Sequence, residues 1–408
     1  MAAPAIRKVA KLWILLSFSP TALSTFNLSG ASSAAAQTRI LTGERTLCPY
    51  STGSQKFGYI QVSPLTKYFY AAIQADKEPG TAPTFVYFEG GPGGSSLTAT
   101  LRQNGPCIRD YDTRRLRLNL YSWSAQANGV WIDAPAPTGF SVGPVARGLE
   151  DFILDMVDVI TKFTQQNPIF NRDLHLVGTS SSAAFVAMLA ARLAEKPQPQ
   201  VHIVGVMLIS GVVSPIDMIS KMTADLQQCD AQIGQCNSNG PGKPPISAFC
   251  NQAVGTCDTA TLNPMKEKSL SYYDVRVPSG QEETKYVLKV LDTSLTKGLK
   301  VLVMNGDQDY ITNSVGAETW VLNLNGADKY GERLRGVPRT PVEFGGVELG
   351  MMRALAYSNQ ARLAFIEPLS ASSCFEVTNA GHIIPLYKPL ELQQGFYAYL
   401  SGDLWKSD

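Results

Sequence analysis

Residues 174–183 read Leu-His-Leu-Val-Gly-Thr-Ser-Ser-Ser-Ala, an apolar run that passes through a turn of small residues into a helix-like stretch. A nucleophile elbow needs this context, because its serine must sit on a sharp turn that projects the hydroxyl beyond the end of a sheet. Small residues two positions before and after the serine let the strand and helix approach closely. Gly178 and Ser182 flank Ser180 in this way, which makes Ser180 the candidate nucleophile. A serine-rich helix N-cap is the structural alternative.

Short segments that are apolar on both faces alternate with helix-like segments along the chain. The helix-like segments 149–165 and 183–194 carry apolar residues three and four positions apart. Two strand-like runs at 58–62 and 68–74 predict an opening hairpin. The alternation predicts an α/β fold with a mostly parallel central sheet and helices on both faces. The fully apolar strand segments are 84–88, 129–132, 174–177, 202–209 and 299–304.

The chain has three histidines, and one of them is expected to be the general base. His175 and His202 lie in apolar, strand-like runs, where a packed core imidazole is expected. His382 instead follows a loop at 379–381, just after the strand-like run 374–377. Catalytic groups of α/β sheets gather in such loops at strand ends. By elimination, His382 is the candidate general base.

The acid of a triad should lie between these two residues, because α/β-hydrolases have the chain order Ser, acid, His. Residues 305–310 read Asn-Gly-Asp-Gln-Asp-Tyr and directly follow the apolar run 300–304. Either Asp307 or Asp309 could orient the imidazole. Capping of a turn or of the next helix is the structural alternative for each.

The glycine-rich segment 88–96 reads Phe-Glu-Gly-Gly-Pro-Gly-Gly-Ser-Ser and follows a predicted core strand. Glycines let backbone amides point into a site without interference from side chains, which suits a developing oxyanion. A phosphate-binding loop is the rival interpretation. It is disfavoured because no Gly-Lys-Ser/Thr follows and the helix-opening GxGxxG spacing is missing.

The composition fits a folded chain with a large core. Of 408 residues, 44% are hydrophobic and 17% charged, with a formal net charge of +1. Neither wholesale disorder nor binding to nucleic acid is expected from this balance.

The first residues resemble a processing signal. Three basic residues within the first 11 positions precede an apolar run at 12–23 and small residues at 29–36. This pattern predicts a secretory signal peptide at 1–36, cleaved somewhere between residues 24 and 37, with a retained anchor as the alternative. After its removal we expect no membrane association, since no later run of about 18 apolar residues occurs.

Seven cysteines in a secretory chain favour disulfides over redox or zinc chemistry. Segment 214–295 breaks the strand and helix alternation, which predicts a cap inserted between strands of one sheet. The predicted organisation is a core at 37–213, the cap at 214–295 and the rest of the core at 296–408. Cys48, Cys107 and Cys374 lie outside the cap, which holds Cys229, Cys236, Cys250 and Cys257.

From about residue 46 onward the chain resembles the serine carboxypeptidases. Residues 88–97 are similar to the family's Asn-Gly-Gly-Pro-Gly-Cys-Ser-Ser-Leu segment, and residues 131–141 to its Asp-x-Pro-x-Gly-Thr-Gly-Phe-Ser segment. Three further blocks occur in the family's order around the nucleophile, the acid and the histidine, at 178–183, 305–309 and 381–385.

The resemblance implies an α/β-hydrolase fold and an acyl-enzyme mechanism with no metal or organic cofactor. It assigns the triad to Ser180, Asp309 and His382, and the oxyanion hole to the backbone amides of Gly91 and Ser181.

In the cap, the resemblance implies a nested disulfide arrangement. It would join Cys229 to Cys257 and Cys236 to Cys250, although four cysteines allow three pairings.

Substrate binding departs from the family pattern. The resemblance implies that Glu89, Gly90, Thr179 and Gln103 form the site for the substrate's C-terminal carboxylate, but the family has Asn, Glu and Glu where Glu89, Thr179 and Gln103 stand. An ionised Glu89 would repel a carboxylate unless it is protonated or turned away.

The predicted function is therefore a serine-type carboxypeptidase acting on C-terminal peptide bonds, at acid pH. A related acyltransferase or esterase and a weakly active or inactive binding homologue are the alternatives. The expected substrates are peptide or protein C-termini, a homodimer is left open, and the predicted location is the secretory pathway, with the lysosome or vacuole or the extracellular space as its end.

Overall fold

The computed structural model of the chain describes residues 46–197, 201–215, 217–218, 231, 235, 284–292, 299–307, 309, 312–358, 360–368, 371–372, 377–378 and 381–406. The strands within these ranges are β1 (Gln55–Gln61), β2 (Lys67–Ile73), β3 (Thr84–Phe88), β4 (Cys107–Arg109), β5 (Leu116–Leu118), β6 (Asn128–Ile132), β7 (Leu174–Thr179), β8 (Ile203–Ile209), β9 (Lys300–Met304), β10 (Thr340–Phe344), β11 (Val347–Ala356), β12 (Arg362–Glu367), β13 (Ala371–Ser372) and β14 (Val377–Thr378). The helices are α1 (Ser96–Arg102), α2 (Leu149–Gln166), α3 (Ser182–Glu195), α4 (Thr284–Asp292), α5 (Ser314–Leu322), α6 (Tyr330–Arg335), α7 (Ile384–Tyr387) and α8 (Pro389–Ser401).

The central sheet has the strand order β1-β2-β6-β3-β7-β8-β9-β12-β11-β10 among the described residues. Its middle six strands, from β6 to β12, pair in parallel. The predicted hairpin β1–β2 adds one antiparallel edge, and β11 and β10 add the other. The register pairs Gly178 with both Phe88 and Leu208, so the carboxyl ends of the central strands lie side by side.

Helices cover both faces of the sheet, as predicted. Helices α2 to α6 pack on one face, and α1, α7 and α8 pack on the other. In α2, Phe152, Met156, Val159 and Phe163 recur three and four positions apart and are all buried. Each such side chain contributes about 1.5–3 kcal/mol on burial.

The two histidines outside the candidate triad have different surroundings. His175 is buried in β7 and hydrogen-bonds the Tyr399 hydroxyl at 3.0 Å, which confirms the predicted core imidazole. Burial lowers the pKa of His175 well below its ordinary value, so the ring stays neutral. The same prediction for His202 was wrong. His202 precedes the first residue of β8 and is exposed, with Nδ1 3.5 Å from Asp173 Oδ1.

The structure also settles one cysteine pair, Cys48–Cys107, whose Cα atoms are 5.5 Å apart. The signal segment 1–36, all four cap cysteines and Cys374 lie outside the described residues. Of the predicted cap, helix α4 is described, and it buries Val287 and Val290 in the same core as α3. None of the helices described is long and apolar enough to cross a membrane.

Gly205 offers a test of the packing beneath α8. A Cβ there would lie 2.2 Å from the Tyr399 hydroxyl and 2.7 Å from His175 Nδ1. Because both rings are fully packed, Gly205→Ala should lower the free energy of unfolding by about 1–3 kcal/mol in chemical denaturation. Gly80→Ala is the control, since a Cβ at Gly80 meets nothing within 4 Å. Equal losses in the two variants would contradict this account.

Candidate active site

Ser180 occupies the turn between β7 and α3. Its φ is +58°, in the left-handed region that residues with a side chain rarely adopt. Two backbone hydrogen bonds to the end of β8 and the residues after it hold the turn. Ser180 N donates to the Ile209 carbonyl at 2.9 Å, and Val212 N donates to the Ser180 carbonyl at 3.0 Å. This is the sharp strand-to-helix turn that the sequence predicts for a nucleophile.

Small neighbours make room for this turn. A Cβ on Gly178 would lie 2.9 Å from Ala183 Cα, and a Cβ on Gly90 would lie 2.6 Å from Ser180 Cβ. Ser182 accepts a hydrogen bond from Thr179 N at 2.7 Å and donates to the Phe88 carbonyl at 2.7 Å. Its hydroxyl therefore ties the elbow to the glycine-rich segment.

The structure brings the three predicted triad side chains together. Ser180 Oγ lies 3.0 Å from His382 Nε2, and His382 Nδ1 lies 2.9 Å from Asp309 Oδ2. Since an ionised carboxylate can only accept, Nδ1–H donates to Asp309 and Nε2 is left to accept the serine hydroxyl. Asp309 is 3% exposed, and of the two candidate carboxylates it is the one placed against His382.

The charges around His382 set its basicity. Burial by itself lowers the pKa of His382, but the charge and hydrogen bond of Asp309, together with the charge of Glu89, outweigh burial and raise the pKa. A general base must be neutral to accept a proton, so this rise predicts loss of base function as the pH falls through the raised value.

Two backbone amides lie beside the serine. Gly91 follows Gly90, which packs on Ser180, and Ser181 is the next residue after Ser180. Neither amide donates to an acceptor in the described part of the chain. Amides with no internal acceptor are suited to bind an oxyanion.

The predicted substrate-binding residues Glu89, Gly90, Thr179 and Gln103 are joined by hydrogen bonds that also include Tyr87, which the sequence did not predict for the site. We call Tyr87, Glu89, Gln103 and Thr179 the Glu89 network. Glu89 Oε2 accepts from Gln103 Nε2 at 2.9 Å, and Glu89 Oε1 accepts from Gly90 N at 2.9 Å. The Tyr87 hydroxyl donates to Gln103 Oε1 at 3.2 Å and accepts from Thr179 Oγ1 at 2.9 Å.

This environment changes the acidity of Glu89. Burial raises the pKa of the Glu89 carboxyl, although its hydrogen bonds to Gly90 and Gln103 and the charge of His382 offset part of the rise. A carboxyl in this state is more readily protonated than an exposed one.

Sequence reasoning missed three residues that support the site. Tyr87 joins the Glu89 network from inside an apolar strand, and Thr312 donates through Oγ1 to Asp309 Oδ2 at 2.5 Å. Asp133, at the end of β6, accepts from Ser95 Oγ at 2.7 Å and from Phe140 N at 2.9 Å. A tyrosine inside an apolar run was the signal for Tyr87, and a place directly after an apolar run, in the block 131–141, was the signal for Asp133, whereas Thr312 gave no signal.

Comparison with known proteins adds independent findings. A family model described as serine carboxypeptidase matches residues 48–279 and 260–402. Carboxypeptidase Y homolog A of Trichophyton verrucosum is 22% identical over 425 residues, which cover 86% of this chain and 74% of that protein. A vacuolar serine-type carboxypeptidase of Saccharomyces cerevisiae is 21% identical over 444 residues, covering 91% of this chain and 84% of that protein.

Among solved structures, a prohormone-processing carboxypeptidase from Saccharomyces cerevisiae matches with a TM-score of 0.57 and 17% identity, covering 86% of this chain and 92% of the other. At this identity the likeness shows the fold alone, and it confirms the predicted α/β-hydrolase architecture.

Asp133 connects the glycine-rich segment to the loop at Phe140, so its loss should disturb the site as well as the fold. Asp133→Asn keeps the shape but presents a donor to groups that donate, and should cost about 1–3 kcal/mol of stability. Asp76→Asn is the matched control, because Asp76 also accepts several donors, from Ser51 Oγ, Thr52 N and Gly53 N. Labelling by a fluorophosphonate should slow on the order of tenfold in the first variant and stay near wild type in the control. Similar labelling rates in both variants would contradict the proposed link.

Proposed function

The chain belongs to the serine carboxypeptidase family, and we propose that it hydrolyses C-terminal peptide bonds through an acyl-enzyme formed on Ser180. The observation that carries this proposal is the hydrogen-bonded series from Ser180 through His382 to Asp309, beside two amides that donate to no acceptor within the described residues.

Each step uses groups of this chain and water. Ser180 Oγ attacks the scissile carbonyl carbon while His382 Nε2 takes the hydroxyl proton, and Asp309 stabilises the imidazolium that forms. The amides of Gly91 and Ser181 hold the oxyanion. His382 then returns the proton to the leaving amine, and the same residues activate a water molecule that releases the acyl group.

Recognition of the substrate carboxylate is proposed to involve Glu89, Gly90, Thr179 and Gln103. Nearly all the hydrogen-bond donors of the Glu89 network already donate to acceptors within the network. An ionised Glu89 would also repel the carboxylate of the substrate. A protonated Glu89 would instead offer a hydrogen bond. The raised pKa of Glu89 therefore supports peptide binding at acid pH.

Glu89 and His382 are coupled by their charges. The state with both groups neutral carries the same number of protons as the state with both groups charged. A bound substrate carboxylate disfavours the charged Glu89, so the proton moves to Glu89 and His382 becomes the neutral base. The free carboxylate of the substrate would therefore both occupy its binding site and convert His382 into the neutral form that acts as the general base.

An acyltransferase or esterase is the second candidate. The replacement of a neutral family residue by Glu89 favours it, because an ionised Glu89 suits an acyl donor without a carboxylate. Such an enzyme would ignore amidation of the peptide terminus.

We also propose that residues 1–36 direct the chain into the secretory pathway, with the lysosome or vacuole or the extracellular space as its destination. The basic and apolar pattern of the first residues and the vacuolar relative support this. The cap at 214–295, its nested disulfides and a homodimer stay predictions.

Ser180→Ala tests the nucleophile. The variant should fold with an unchanged thermal transition, lose fluorophosphonate labelling, and lose kcat on peptides by about four to six orders of magnitude. Labelling and turnover are followed by mass spectrometry of the intact protein and of the peptide products. A wild-type protein that is not labelled, or a labelled Ser180→Ala variant, would overturn the proposed mechanism.

Glu89→Gln tests the pH dependence. For the wild type, the acid limb of kcat/KM should lie at lower pH for a free-acid peptide than for its C-terminal amide, because only the free acid moves the proton onto Glu89. In Glu89→Gln the nearby negative charge is gone, which lowers the pKa of His382, and the two substrates should share one acid limb at lower pH than the wild-type limb for the amide. Exposed Glu150, which pairs with Arg192, provides the control variant Glu150→Gln. Identical acid limbs for both substrates in the wild type would refute the coupling.

A further inference from the structure

Asp309 accepts more hydrogen bonds than the imidazole alone supplies. Its Oδ2 atom receives His382 Nδ1 at 2.9 Å and Thr312 Oγ1 at 2.5 Å, while Oδ1 receives Thr312 N at 3.1 Å. Thr312 thus holds both carboxylate oxygens, and its hydroxyl shares one of them with the histidine. Its Oγ1 also lies 3.1 Å from His382 Nδ1.

Thr312 is itself firmly held. It is fully buried, and its carbonyl accepts from Asn305 Nδ2 at 2.5 Å. Asn305 is anchored in turn, because its backbone N donates to the Ile366 carbonyl of β12 at 3.1 Å. On the other side of Thr312, Asn313 caps α5 by accepting from Gly316 N at 2.7 Å. The position of the Thr312 hydroxyl is therefore fixed by the link to β12 on one side and by the start of α5 on the other.

The direction of the hydroxyl hydrogen bond follows from charge. An ionised Asp309 has no proton to give, so Thr312 Oγ1 donates to it. A second donor on Oδ2 disperses the charge that would otherwise act on the imidazolium, and hydrogen bonds to charged groups are the stronger ones. The neutral hydroxyl oxygen is a weaker partner for Nδ1 than the nearer, charged carboxylate.

We propose that Thr312 is a positioning residue of the triad, whose hydroxyl fixes the Asp309 oxygen used by His382 and limits how strongly that oxygen holds the protonated ring. This inference rests on the proposed function of Ser180, Asp309 and His382. Thr312 touches no reacting atom and acts through Asp309.

The test compares Thr312→Val with Thr312→Ser. Valine keeps the branched shape and the backbone N–H but removes the hydroxyl, whereas serine keeps the hydroxyl and loses a methyl group. Fluorophosphonate labelling is the main readout, because it requires the triad but not the carboxylate-binding residues. In Thr312→Val the labelling rate at its pH optimum should fall about tenfold, and the acid limb of the rate should move to higher pH. Thr312→Ser should keep the wild-type acid limb and a rate within about threefold of wild type.

A merely structural role for Thr312 would lower stability without moving the acid limb. That result, or an acid limb shifted equally in the serine variant, would overturn the inference. The low-field proton resonance of His382 Nδ1–H gives a second measurement, and it should move in the valine variant and stay in place in the serine variant. Should the valine variant not fold, Thr312→Ala removes the same hydroxyl with less crowding. Retained labelling of Ser180→Ala would defeat the proposed function, whereas wild-type behaviour of Thr312→Val would defeat this inference alone.

Discussion

Parallel pairing of the central strands is the constraint on which the site depends. When β3, β7, β8, β9 and β12 run in the same direction, every loop that leaves a carboxyl end starts from one edge of the sheet. Residues more than 200 positions apart in the chain, such as Ser180 and His382, then reach hydrogen-bond distance without any long extension of the backbone. Close packing around the turn at Ser180 also holds the serine in place, because neither Gly90 nor Gly178 has room for a side chain.

Two carboxylates near this edge act on the ring of His382. Asp309 stabilises a positive His382 through a hydrogen bond and its charge. Glu89 adds a second negative charge that acts on the same ring. The two carboxylates differ in surroundings, because Asp309 accepts from the imidazole and from Thr312, whereas Glu89 accepts from the Gln103 amide and the Gly90 backbone. Burial raises the pKa of the Glu89 carboxyl, so Glu89 takes up a proton at a higher pH than an exposed glutamate does.

The positions of the strands along the chain and the turn at Ser180 could be predicted from local sequence, because a strand or a tight turn is determined by the residue types at a few consecutive positions. His382 could be found by elimination among three histidines. Residues 305–310 narrowed the acid to two carboxylates, but choosing Asp309 from residues alone was not feasible, because the choice depends on loop geometry. Tyr87, Asp133 and Thr312 were missed for the same reason, as hydrogen-bond partners distant in sequence leave no periodic signal. His202 was misjudged because an apolar run does not mark the residue at which burial begins.

The buried imidazole of β7 has a practical consequence. His175 is buried between β7 and α8, and burial lowers its pKa, so its ring stays neutral over the pH range in which the protein is studied. His202 lies exposed, before the first residue of β8, at the opposite end of the sheet from the serine. With only three histidines in the chain, a magnetic-resonance titration has one signal from the neutral buried ring of His175 and one from the ring beside Ser180. The imidazole signal of His382 therefore has to be distinguished from only two others in the intact protein.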